Sequence, residues 1–168
     1  MVNRFIALLT GNILLDLGGG KGIPLARYFI EHGYSMHAID TAPQMIEQCQ
    51  QHFPKQQWFV ADMRHLNLKQ RYARILAWDS FFHLTHDDQR AMFPIFLSML
   101  KWGPHSYLLG PSYGQALSFL EGETLYHASL AVEEYQYLLA ANGFQVIQMI
   151  VNDSSCTKHT VWLAQKHQ

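Results

Sequence analysis

The 168-residue sequence predicts an α/β domain in three layers, a mostly parallel sheet between two layers of helices. Three observations lead to that class. Strand-like apolar runs alternate with helix-like segments along the chain. The first run, in ILLDLGGGKG at residues 13–22, ends in glycines and passes directly into a helix. Successive strand-like runs each end at or near an aspartate, at Asp16, Asp40, Asp62 and Asp79. Nearly half of the residues are apolar, enough for one sizeable core, and residues 1–168 read as a single domain with no internal repeat.

In the first strand Ile13, Leu14, Leu15 and Leu17 are apolar on both faces, as a buried parallel strand requires. Pro24 suits the first turn of the following helix, and Gly33 stops it. Residues 35–39 form the second strand, ended by Asp40. Thr41 is placed to cap a second helix that has Pro43 in its first turn and runs to about His52. Residues 58–61 and 74–78 are the third and fourth strands, ended by Asp62 and Asp79. A helix over residues 87–100 follows, with Pro94 predicting a kink. The fifth strand spans residues 106–109. Residues 110–130 have weak periodicity and read as a loop-rich cover over the site. A helix over 132–142 ends at Gly143. Strands over 144–151 and 160–165 then close the chain as a hairpin, which puts one antiparallel strand in the sheet.

Composition narrows the functional classes. A formal charge of −1 supplies no sequence-wide attraction to phosphate polymers and disfavours nucleic acid as the main substrate. Cys49 and Cys156 lie far apart with no zinc spacing, which favours a reducing, cytoplasmic setting. No run is long enough to span a bilayer, and no secretory leader is recognisable. His83, His86 and Asp87 lack any established ligand framework, so no metal site is expected.

Gly18, Gly20 and Gly22 permit a tight turn and close backbone approach by a ligand, and Gly18, Gly19 and Gly20 are the expected cofactor contacts of the turn. Counted against the dinucleotide fingerprint GxGxxG, the third glycine comes one residue early, at Gly22. The resulting GxGxG, with Asp16 two positions ahead of it, resembles the first motif of the class I S-adenosylmethionine-dependent methyltransferases. ADMR at residues 61–64 resembles that family's motif after the third strand, and the resemblance covers nearly the whole chain.

That resemblance implies a Rossmann-like three-layer sandwich with a seven-stranded sheet, mostly parallel with an antiparallel last strand. It implies S-adenosylmethionine as cofactor. Asp16 would orient the methionyl ammonium through the glycine loop. Asp40, with Thr41 beside it, is placed for the ribose hydroxyls, as a carboxylate accepts from a vicinal diol. Asp62 would accept from the adenine amino group with Met63 against the ring, and Asp79 would face the amino-acid end. No NPPY-type or DPPY-type amine-methylating motif follows the fourth strand, where the chain reads DSFF, and a small-molecule acceptor is expected.

Acceptor chemistry stays open. A histidine would deprotonate a hydroxyl or thiol acceptor, whereas an amine needs only positioning. His83 in DSFFHLT, Tyr126 and His127 in LYHASL, and His159 in KHTVW are the candidates, with Asp153 and Cys156 on the same edge as His159. Trp78, Phe81, Phe82, Tyr113, Phe119 and Tyr126 suit either an aromatic acceptor pocket or the core. About twelve residues precede the first strand, where many such enzymes place lid helices, so residues 110–130 or a second subunit are expected to cover the site, unless it is open to a larger acceptor. A homodimer is compatible with this. Two other readings stand beside it: a non-catalytic sensor or partner subunit that binds S-adenosylmethionine or S-adenosylhomocysteine, and a nicotinamide-dependent oxidoreductase, which the glycine spacing disfavours.

Overall fold

The computed structural model describes residues 13–101, 107–110, 116–120, 123–127, 129–153 and 159–167. Strands β1 (Ile13–Leu17), β2 (Ser35–Asp40), β3 (Gln57–Val60), β4 (Arg74–Leu76), β5 (Tyr107–Gly110), β8 (Phe144–Asp153) and β9 (His159–Lys166) hydrogen-bond in the order β3-β2-β1-β4-β5-β9-β8. The first five are mutually parallel, and β9 runs antiparallel between β5 and β8. Chain order reverses direction between β1 and β4, and a crevice opens beyond the carboxyl ends of strands at such a switch point.

Helices α1 (Leu25–Glu31) and α2 (Pro43–His52) cover one face, and α3 (His86–Met99) and α4 (Val132–Ala141) the other. Strand alternation explains the two cores. Leu14, Met36, Ala38 and Leu76 point toward α1 and α2, where Ala26, Phe29, Ile46 and Cys49 meet them. Leu15, Leu17, Ile39 and Ile75 point the other way, onto Met92, Phe93, Phe96, Tyr135 and Leu139. Phe81 and Phe82 belong to the interior, 0% and 6% exposed, and Phe81 packs against Phe93, Phe96 and Tyr135. They are core residues.

Several elements depart from the sequence expectation. Thr41 does not cap α2. Ala42, whose methyl side chain cannot accept, holds the cap position, and its own amide donates to the Asp40 Oδ1 at 2.9 Å. Strand β4 stops at Leu76, opposite Asp16 in β1, and the chain then turns through Asp79 at φ 47°. Helix α3 begins one residue early, capped by Thr85 accepting from the Asp88 amide, and continues through Pro94. Residues 110–130, read as loop, contain an antiparallel hairpin, β6 (Ala116–Leu120) and β7 (Glu123–His127). Strand β7 runs beside the short 3-10 turn Phe81–His83. Among the described residues no helix is long and apolar enough to cross a membrane.

The glycine turn after β1 is held from two sides. The amides of Gly18 and Gly19 both donate to the Ile39 carbonyl at the end of β2, at 2.9 and 3.0 Å. From the β4 side, the buried Ser80 hydroxyl donates to the Leu17 carbonyl, and Ser80 packs onto Gly18. Gly18 has φ +78°, and a Cβ on it would sit 2.3 Å from the Ser80 Cβ. Glycine is required there by the protein's own packing before any ligand is considered.

Gly18→Ala is therefore expected to destabilise the fold by roughly 2 kcal/mol or more, combining left-handed strain with the clash. Adding Ser80→Gly should recover part of that loss in a denaturant-unfolding double-mutant cycle, whereas strict additivity would show that the two residues do not collide.

Candidate functional site

A cleft of about 460 Å³ opens at the carboxyl edge of the sheet. That volume is within the usual range for small-molecule sites. Four strand ends build it. The β1 turn contributes Gly18 and Gly20, the end of β2 contributes Ile39, Asp40 and Thr41, and the stretch after β3 contributes Ala61, Asp62, Met63 and Arg64. The loop after β4 and the start of α3 contribute Asp79, Ser80, His83, Leu84, Thr85 and Asp88.

Asp40 is the structural hinge of this edge. Its Oδ2 accepts from the Gly20 amide at 2.9 Å while its Oδ1 accepts from the Ala42 amide at the same distance. One carboxylate thus fastens the glycine turn to the start of α2, and each oxygen keeps acceptor capacity for a further donor. Nothing lies within 4 Å of where a Cβ on Gly20 would be, so the backbone is bare toward the cleft.

Asp16 and Gly19 do not form the cleft wall. Asp16 is 3% exposed and lies beneath the turn, its Oδ2 3.1 Å from where a Cβ on Gly19 would stand. Burial, and after it the neighbouring Asp40 carboxylate, push the Asp16 carboxyl up to about 7. The Cys49 thiol, which donates to the Gly20 carbonyl at 3.2 Å, is pushed up to about 11 by burial and by the same two acids. The turn therefore rests on a buried acid and a neutral thiol.

Asp62 is engaged from its own chain. It caps the 3-10 turn Met63–His65, its Oδ1 accepting from the Arg64 amide at 2.9 Å. The Arg64 guanidinium grips the same carboxylate, with Nη2 2.6 Å from Oδ2, and Nη1 reaches the Asp88 Oδ2 at 3.1 Å. Chiefly through the Arg64 side-chain hydrogen bonds, the Asp62 carboxyl is held down to about 2. Met63 lies on the cleft wall beside Gly18.

Of the four acceptor-side candidates, His83 lines the cleft, exposed and with its ring 4.6 Å from that of Phe82. Tyr126 and His127 lie on β7 and His159 opens β9, while their side chains, and that of Asp153, fall outside the described residues, as do Tyr113 and Cys156 altogether. Among the described residues, no group of three or more His, Cys, Asp or Glu side chains has the arrangement of a metal site.

Ser80, Arg64, Thr85 and Asp88 also line the cleft, beyond the residues expected from the sequence. Thr85 carried a signal, a cap residue opening THDDQ. Arg64 and Asp88 are 24 positions apart and meet only in three dimensions.

The Asp16 environment has a measurable consequence. The folded protein keeps a proton on Asp16 that the unfolded chain loses above the ordinary value of 3.8, so this contribution to stability is present at low pH and declines as pH rises to about 7. Thermal unfolding of Asp16→Asn against the parent protein should show a melting-temperature difference that grows in the variant's favour between about pH 4 and pH 7, then levels off. A difference independent of pH would contradict the raised value.

The methyltransferase-domain family matches the chain over residues 14–103, more than half of it. No curated protein sequence matches. Among solved structures, a methyltransferase from Methanosarcina mazei is 17% identical with a TM-score of 0.80, covering 98% of this chain and 97% of its own. CalS10, an amino pentose methyltransferase from Micromonospora echinaspora, is 17% identical with a TM-score of 0.77, at 98% and 87% coverage. Magnesium protoporphyrin IX methyltransferase from Synechocystis is 19% identical with a TM-score of 0.71, at 98% and 76%. These neighbours share the Rossmann-like α/β fold, and the sequence match carries the family. The chain belongs to the class I S-adenosylmethionine-dependent methyltransferases.

Proposed function

We propose that this protein transfers a methyl group from S-adenosylmethionine to a small-molecule acceptor, on the mixed seven-stranded sheet of its family with the β6–β7 hairpin as cover. The observation that carries this is the convergence of Gly18, Gly20, Asp40, Asp62 and Met63 on one cleft at the carboxyl edge.

The residues present fit the cofactor. Gly20 offers a bare backbone, Asp40 keeps acceptor capacity suited to a vicinal diol, and Met63 gives an apolar surface for a ring. Bound there, S-adenosylmethionine supplies a methyl group activated on a sulfonium. The chain's own task is alignment in a partly dry cleft, since displacement at a methyl group depends chiefly on orientation. Asp40 and the glycine turn hold the nucleoside, and the Asp79 turn borders the amino-acid end. His83 faces the acceptor side and takes a proton where the acceptor is a hydroxyl or thiol, with Tyr126, His127 and His159 as the alternatives on neighbouring elements. The small-molecule acceptor draws support from the fold neighbours: CalS10 is an amino pentose methyltransferase and MtfA a glycopeptide N-methyltransferase.

Calorimetric titration with S-adenosylhomocysteine, with NADH in parallel, tests the reading. Saturable binding of the nucleoside thioether alone is expected, and Asp40→Ala should weaken it by about 1–3 kcal/mol through loss of charge-assisted contacts. Selective NADH binding, or an Asp40 variant of unchanged affinity, would contradict it.

A further inference from the structure

The Asp62 carboxylate, expected to accept from a nucleobase amino group, is already engaged by Arg64 at both oxygens. Its Oδ1 receives the Arg64 backbone N–H at 2.9 Å, its Oδ2 receives Nη2 at 2.6 Å, and the single Nε–H is shared between the two oxygens at 3.0 Å each. A carboxylate offers about four acceptor directions. Three donors fill most of them, so a new donor in the cleft competes with the guanidinium for Asp62.

The geometry supplies a place for it to go. Arg64 already donates to Asp88 through Nη1 at 3.1 Å, and Asp88 stands in the first turn of α3, its own amide bonded to the Thr85 cap. Arg64, Asp62 and Asp88 all line the same cleft. The Arg64 side chain is 42% exposed, so its pairing with Asp62 is an exposed ion pair whose exchange costs little. The Arg64 amide keeps its bond to Oδ1 through such an exchange, so the carboxylate stays oriented while its Oδ2 is released.

We propose that Arg64 is an exchangeable occupant of the nucleobase subsite, which yields Asp62 to a 6-amino purine and rests on Asp88 when it does so. The inference deepens the cofactor reading given above and rests on it. It makes Arg64 a specificity-determining residue, because the guanidinium has a second use. Against a 6-oxo purine, Arg64 stays on Asp62 and presents donors to the oxo group, softening the rejection that a bare carboxylate would impose.

Opposite shifts for two ligands follow when Arg64 is removed, which a loss of local structure would not produce. Titrations of the parent protein, Arg64→Met and Arg64→Lys with S-adenosylhomocysteine and its 6-oxo counterpart S-inosylhomocysteine read this directly. Arg64→Met should bind S-adenosylhomocysteine roughly two- to fivefold more tightly, because no ion pair has to be broken. The same variant should bind S-inosylhomocysteine more weakly, and Arg64→Lys, which lacks the bidentate fork, should fall between. Shifts of both ligands in one direction, or unchanged or weaker S-adenosylhomocysteine binding by Arg64→Met, would overturn the role of Arg64 while leaving the cofactor reading intact. Failure of the parent protein to bind S-adenosylhomocysteine would overturn both.

Discussion

The carboxyl end of β2 is the constraint on which the site depends. The Ile39 carbonyl takes two amides of the glycine turn and the Asp40 carboxylate takes a third, while its other oxygen sets the start of α2. Hydrogen bonds to an ionised acceptor are about twice as strong as neutral ones, so Asp40 is well suited to hold a turn that has no side chains of its own. Ser80 closes the opposite flank by bonding the Leu17 carbonyl and packing onto Gly18. The turn is thereby fixed between β2 and the loop after β4, with its backbone directed at the cleft. Preorganisation of this kind lowers the ordering cost of binding a ligand.

The same arrangement sets the electrostatics. Asp40 lies in the cleft and Asp16 beneath it, so the buried member of the pair bears the cost of burial and of its neighbour's charge. At the far side of the cleft the balance is the opposite. Asp62 is ionised well below its ordinary range because Arg64 supplies the opposite charge and most of the hydrogen bonds. Beneath the glycine turn lies an acid whose carboxyl burial pushes up, and at the far side of the cleft stands an acid kept ionised by an exposed cation.

Much of this edge is legible in the sequence. Apolar runs that stop at Asp40 and Asp62 mark strand ends, and a glycine cluster straight after a strand marks a turn open to a ligand, so these cleft residues are readable from local pattern alone. What is not readable depends on contacts between distant segments. Ser80 explains Gly18, yet they lie 62 positions apart and no periodicity links them. Thr41 looks like a helix cap, but the cap falls one residue later, at Ala42, with Pro43 at the first helical position. Arg64 folds back across a 3-10 turn onto a residue two positions earlier, a pairing that a regular helix does not permit. The β6–β7 hairpin carries no clean alternation of apolar and polar residues, although Glu121 and Gly122 separate two runs of strand length.

Backbone amide chemical-shift mapping during titration with S-adenosylhomocysteine tests the central claim, that the glycine turn and its β2 anchor form the nucleoside site. The largest shifts are expected at Gly18, Gly20, Asp40 and Thr41, followed by Asp62, Met63 and Arg64. Shifts concentrated instead along β8 and β9, with the glycine turn unmoved, would contradict the account.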